Sequence, residues 1–331
     1  MFSPLFALLI ASEFCYYLLI AQTGIVELFH SDIHAFFTLP LGGVIGSLIA
    51  YKSVKGINDD IQKLTLALMM QLFGSLFYPQ LNLVLLGCLG LSLGMSAPLL
   101  IKLSKGRYAE MAFALGVTYA VATALFTYSP LLRGNLAIVL SLLALFSCLF
   151  LEYIPQKERL VAPQHVSLYA IVAMAVWAFL DANLFETLSR SSDIAIWRME
   201  TWPIILLFHI IGMAAAYVLR DTLKAYHSFI IAFLFALSYA LYAMHEAVLL
   251  SMVYPFVISY YNFVILKRLL KQNDLKRLGI IMVFTGWIAG GGGLMSALLG
   301  YSSIGVVFIA LLLSVEIALF TFQFSKKDQP C

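Results

Sequence analysis

Apolar runs too long for a soluble fold dominate this chain. The first, residues 4–28, meets a single ionisable side chain, Glu13, before it reaches Glu27. A helix needs about 20 mostly apolar residues to cross a bilayer. Twelve runs of that kind can be marked: 4–28, 34–51, 64–81, 83–103, 108–128, 135–154, 166–188, 202–219, 228–245, 247–266, 278–298 and 302–324. Three longer stretches have to be divided, because no helix stays apolar over twice the bilayer thickness. The turn-prone or polar breaks are Tyr78-Pro79-Gln80, Met244-His245-Glu246 and Gly300-Tyr301-Ser302-Ser303. Hydrophobic residues make up 62% of the 331 and charged ones 11%, against roughly 45–50% and about 25% in soluble domains. That composition excludes a water-soluble enzyme, a disordered chain, collagen and a coiled coil. Outer-membrane barrels are excluded by the continuity of the runs, since barrel strands alternate over about ten residues. The expectation is an all-α polytopic membrane protein. The first run has neither a basic leader nor an Ala-x-Ala site, so it is read as a span and not as a cleaved signal.

The charges test the number of spans. With the N-terminus inside, the inner connections hold Lys52, Lys55, Lys63, Lys102, Lys105, Arg107, Lys157, Arg159, Arg220, Lys224, Lys267, Arg268, Lys271, Lys276, Arg277, Lys326 and Lys327, seventeen of the twenty Lys and Arg residues. Only Arg133, Arg190 and Arg198 fall outside. A wrong number of spans would scramble this alternation, so the positive-inside rule supports twelve, with both termini cytoplasmic. The four cysteines, Cys15, Cys88, Cys148 and Cys331, form no paired motif and predict no disulfide framework.

The polar stretch 155–165 divides the chain into an N-terminal six-helix half (1–154) and a C-terminal one (166–331), with a central cytoplasmic loop between them. A short repeat agrees with this. Val44–Tyr51 closes the second span, and Ile210–Tyr217 closes the eighth with Gly, Ala and Tyr at the same spacing. Glu27 followed by Ser31-Asp32-Ile33 is echoed by Glu186 followed by Ser192-Asp193-Ile194. Two parallel six-span halves are a known transporter plan.

On these features the chain resembles the major facilitator superfamily. That family's loop after the second span reads Gly-x-x-x-Asp-Arg-x-Gly-Arg-Lys; here Gly46 matches, Ala50 replaces the acid, and Lys52 and Lys55 keep the basic character. Its fourth span carries an Arg followed by Gly-x-Gly; here Gly87, Gly90 and Gly94 stand without an Arg. The proline-glycine motif of many antiporters is absent from the fifth span. The resemblance implies twelve transmembrane helices in two halves, a cavity lined by spans one and seven, and transport of a solute. A ten-span drug/metabolite permease suits the length better and the loop charges worse.

Ionisable groups inside spans are functional candidates because hydrocarbon penalises them. Glu13 stands in the middle of span one, with no helix end to explain it. Asp181 stands in span seven with Asn183, a neutral donor and acceptor, and Glu186 on an adjoining face; Arg190 and Arg198 are candidate partners for Glu186. Glu13 and Asp181 are the expected carriers of a coupling proton or of the solute. His209 in span eight could shuttle protons or simply bond a carbonyl. In span ten, Ser259-Tyr260-Tyr261-Asn262 combines aromatics with an amide that could hold a polar organic solute, and Gln71 in span three is a weaker analogue. Glu316 in span twelve reads as structural. His30-Ser31-Asp32-Ile33-His34 is the most metal-like string, since His30 and His34 would share a face if helical, with Asp32 between them. Gly290–Gly293 in span eleven follows no strand and lacks a phosphate-loop lysine; it suits close packing or a bend.

The favoured reading is a secondary active transporter of the bacterial inner membrane. It would be monomeric, work by alternating access, couple to protons or else to sodium, and need no cofactor, enzymatic activity or nucleic-acid partner. Rival readings are a metal-ion or siderophore transporter, an integral membrane enzyme acting on lipid or isoprenoid through His30, Asp32 and Glu27, and a non-transporting sensor. The absence of Lys and Arg from the middle of the spans argues against a strongly anionic solute.

Overall fold

The computed structural model describes residues 2–52, 59–152, 166–191, 193–198, 200–223, 226–301 and 303–327. Among these, twelve long helices follow in order: α1 (Pro4–Phe29), α2 (Ile33–Ile49), α3 (Asp60–Ser75), α4 (Leu83–Leu103), α5 (Tyr108–Leu125), α6 (Gly134–Glu152), α7 (Leu168–Arg190), α8 (Trp202–Val218), α9 (His227–Ala243), α10 (Ala247–Leu269), α11 (Leu275–Leu298) and α12 (Ile304–Lys327). Seven of them are long and apolar enough to cross a membrane by that test alone. Helices α2, α8, α9 and α12 supply shorter apolar stretches. The protein is an all-helical, multi-pass membrane protein.

Helix ends depart from the apolar runs where polar caps extend them. Helix α3 starts at Asp60, before the apolar run, because the Asp59 side chain accepts from the Ile61 amide. It stops at Ser75, before the Pro79 turn. Helix α11 likewise starts early, with Asp274 accepting from the Lys276 amide. Such a cap contributes about 1 kcal/mol, enough to recruit a polar first turn. Two helices widen internally to π geometry, α1 over Tyr17–Ile25 and α11 over Val283–Gly290.

Two compact units are formed, residues 1–167 with 265–287, and 168–264 with 288–331. The central 155–165 stretch lies outside the described residues. Compactness also cuts α10 after Val264 and α11 after Trp287, so the units do not coincide with the halves drawn at that stretch.

In the first unit, α1 is buried along most of its length. One apolar cluster gathers around Phe6, Leu9 and Ile10, another around Tyr16, Leu19 and Ile20. Glu13 falls between the two clusters in sequence. Helices α2 and α4 approach until backbones touch: a Cβ on Gly46 would meet the Leu91 carbonyl oxygen at 2.2 Å, and one on Gly90 the Leu39 carbonyl oxygen at 2.0 Å. The start of α11 packs on this pair, with Trp287 Nε1 donating to Ser47 Oγ at 3.1 Å. An ion pair between Lys102 and Asp60 ties the ends of α3 and α4.

In the second unit, α8 and α10 repeat the α2–α4 approach. Gly212, matched to Gly46 by the sequence repeat, would place a Cβ 2.4 Å from the Phe256 carbonyl oxygen. The matched tyrosines share a feature too: Lys276 lies over the Tyr51 ring and Arg220 over the Tyr217 ring. Helix α11 closes on α7 at Gly293, whose Cβ would lie 2.2 Å from the Phe179 carbonyl oxygen. Tyr169 donates to Glu316, joining α7 to α12.

Candidate functional site

Each unit holds, in the first helix of its six, a membrane-embedded acid bonded by neutral polar side chains. In the first unit Glu13 is buried. Gln71 of α3 donates its amide N–H to Glu13 Oε1 at 2.8 Å, while the Gln71 carbonyl oxygen, also buried, has no donor among the described residues. Behind this pair, Ser75 donates to the Gln71 backbone carbonyl at 2.7 Å and lies 2.9 Å from the Tyr16 hydroxyl and 3.1 Å from Ser141 Oγ. Thr118 of α5 donates to the Ala11 carbonyl at 3.3 Å. Gln71 thus bonds the acid directly, with the hydroxyls of Ser75, Tyr16 and Ser141 linked behind it. Among the described residues no Lys or Arg bonds it. The span-three glutamine that sequence ranked low is its direct partner.

In the second unit Asp181 is half-buried and accepts at both oxygens. Tyr254 donates to Oδ1 at 2.8 Å and to the Asp181 backbone carbonyl at 2.9 Å; Tyr261 donates to Oδ2 at 2.5 Å. These tyrosines are seven residues apart on α10, two helical turns, and so share a face. Tyr239 of α9 donates to the Leu180 carbonyl at 3.0 Å and to Asn183 Oδ1 at 2.8 Å. Asn183 in turn donates to Ser296 Oγ of α11 at 2.7 Å. The amide of Asn183 is therefore engaged at its oxygen by α9 and at its nitrogen by α11, and ties α7 to both. Rings continue the surface: Phe185 and Trp197 have centroids 5.4 Å apart, and Trp197 meets Tyr254 edge-on at 6.2 Å.

The other candidates are dispersed. Glu186 pairs with Arg190, one of its two expected partners, and the side chain of Arg198 lies outside the described residues. His209 is buried, 2.7 Å from Ser259 Oγ, and stacks on Trp197. Tyr260 bonds His227 at 2.8 Å. Asn262 donates to the Ile258 carbonyl of its own helix at 3.0 Å. Of the span-ten quartet, only Tyr261 reaches Asp181. Four successive helical residues point about 100° apart, so Ser259 to Asn262 cannot line one surface.

His30, Asp32 and His34 do not share a helix. The chain turns between α1 and α2, His30 Nδ1 lies 2.9 Å from the Glu27 carbonyl, and Asp32 Oδ1 caps α2 through the His34 and Ala35 amides. Among the described residues no group of three His, Cys, Asp or Glu is placed to hold a metal. Cys15, Cys88 and Cys148 are not joined in a disulfide among the described residues, and Cys331 lies outside them.

Sequence alone missed Tyr239, Tyr254, Trp197 and Ser296. The one available signal was the seven-residue spacing of Tyr254 and Tyr261, facing an acid in another span.

No protein-family model and no curated protein sequence matches the chain. Solved structures do. A major facilitator superfamily transporter, FucP, in its outward conformation is similar with a TM-score of 0.58 at 16% identity, over 96% of this chain and 98% of that one. An auto-inhibited peptide transporter of the POT family is similar at 0.52 and 10% identity, over 99% and 96%. A bacterial homologue of the iron transporter ferroportin, in an outward-facing state with soaked iron, is similar at 0.53 and 14% identity, over 95% and 97%. The chain has the major facilitator superfamily fold over nearly its whole length.

Proposed function

We propose that this protein is a secondary active transporter that moves a small solute across the bacterial inner membrane by alternating access, driven by protons. Glu13 and Asp181 serve as its working carboxyls, with both termini on the cytoplasmic side and a monomer as the functional unit. The observation that carries this reading is the pair of acids. Each stands in the first helix of its six, α1 or α7, and each is bonded by neutral donors and by no basic group among the described residues. An ionisable group inside a membrane span is costly and is a functional candidate by default. An acid left without a basic partner keeps its capacity to take a proton or a cationic group from the cavity.

The roles divide by surroundings. Glu13, bonded by Gln71 with hydroxyl groups behind it, is the proton carrier. Asp181, half-buried beside aromatic rings, meets the solute together with Tyr261. Asn183 and His209 are committed to protein partners and hold helices in place. Glu186, Tyr260 and Asn262 act on their own neighbours.

The test replaces each acid by its amide, which matches the protonated acid in shape but cannot release a proton. Glu13→Gln should abolish accumulation driven by a pH gradient in proteoliposomes, while exchange of solute at equal pH persists. Asp181→Asn should lose both. Full uphill accumulation by both variants would contradict the proposal.

A further inference from the structure

We infer that the Asp181 face of the second unit recognises a positively charged nitrogen, so that the solute is an organic cation, an amine or quaternary ammonium. This deepens the transporter reading and rests on it.

The acid is presented and not enclosed. Tyr254 and Tyr261 are buried, whereas Asp181, the residue they hold, is part-exposed. Two hydroxyl donors fix the plane of the carboxyl without cancelling its charge, and no Lys, Arg or His bonds it among the described residues. Beside it runs an aromatic wall. Phe185 lies four residues on, on the same side of α7, and Trp197 links Phe185 to Tyr254. A carboxylate next to ring faces attracts a cation twice, through its charge and through the ring quadrupoles, the latter contributing about 0.5–2 kcal/mol.

Other solute classes lack what they need on this face. An anion needs a basic group. A neutral polyol or amide is normally oriented by side-chain amides, and both asparagines here are engaged, Asn183 by Ser296 and Tyr239, Asn262 by its own helix. His209 is taken by Ser259. What remains is one negative charge on a part-exposed residue, beside the part-exposed ring of Phe185.

The test is equilibrium binding to the purified protein in detergent, with two pairs of probes matched in shape and differing in charge. Choline is compared with 3,3-dimethylbutan-1-ol, its neutral carbon analogue, and benzylamine with benzyl alcohol. The wild type should bind at least one cation more tightly than its neutral match by about tenfold. Asp181→Asn should bring that ratio close to one, while Asp193→Asn, an acid in the loop after α7, should leave it unchanged. Neither cation preferred over its match, or a preference that survives Asp181→Asn, would overturn the inference. The comparison on the wild type holds even if a variant fails to fold. Proteoliposomes separate this from the transporter reading. A cation that binds but never crosses would contradict transport and leave the site; movement of a neutral solute without cation preference would do the reverse.

Discussion

Arg133 shows how one side chain can hold an irregular helix. The π segment of α1 disturbs the regular ladder, and Arg133, buried at the start of α6, donates to the Leu19 carbonyl at 2.6 Å and to Thr23 Oγ1 at 2.7 Å. Its other nitrogens reach the Tyr128 and Phe126 carbonyls, both at 2.9 Å. Only the guanidinium fork satisfies four acceptors in three directions. Arg133→Leu should therefore cost about 2–4 kcal/mol, since it leaves buried carbonyls without a donor, and Arg133→Lys should recover part of that. Thermal unfolding in detergent measures both; an unchanged midpoint for Arg133→Leu would show that the clamp carries no stability. The same contrast explains what was legible at the working acids. Glu13 and Asp181 stand out in sequence because an ionisable group in an apolar run has a high cost. Their partners do not stand out. Gln71 and Tyr254 belong to residue types found throughout these spans, and only helix packing decides which of them turn toward an acid. The span-ten quartet misleads for the same reason, because contiguity in a helix separates side chains instead of gathering them.

At the scale of elements, the four glycines of α11 divide by position. Gly293 is a packing residue, with a Cβ site 2.2 Å from the Phe179 carbonyl oxygen, whereas Gly290, which ends the π segment Val283–Gly290, and Gly291, which follows it, face open space. Close packing and a bend, alternatives in the sequence, belong to different residues of one run. Gly293→Leu should prevent α7 and α11 from packing and reduce the yield of monodisperse protein sharply. Gly291→Leu should fold normally and lower only the transport rate. Wild-type transport by Gly291→Leu would remove the bend from the mechanism, and normal folding of Gly293→Leu would contradict the packing role. Gly46→Leu, at the α2–α4 seam, should fail as Gly293→Leu does, and Gly212→Leu with it. Span centres were readable because hydrophobic length is a one-dimensional property. Span ends were not: Asp59 and Asp274 carry α3 and α11 into polar sequence through caps that hydropathy does not register.

At the scale of the whole molecule, the chain is a twelve-helix membrane protein whose sequence repeat reappears as equivalent contacts, Gly46 between α2 and α4 and Gly212 between α8 and α10. The six-plus-six order could be read from apolar runs and loop charge. The two cuts through α10 and α11 could not, because neither helix changes composition where compactness divides it. The proposed orientation rests on seventeen basic residues in one set of connections against three in the other. Reporter fusions at Lys157 and Ser325 should read as cytoplasmic and one at Ser191 as external; an external reading at Ser325 would mean an odd number of spans. Alternating access itself is tested most directly at Phe185, one turn from Asp181, by a single cysteine in a background where the four native cysteines are replaced. A membrane-impermeant maleimide applied to oriented vesicles should label Phe185→Cys from either face of the membrane. Labelling from one face only, at every pH and with every solute tried, would contradict a transporter whose working site opens to both sides.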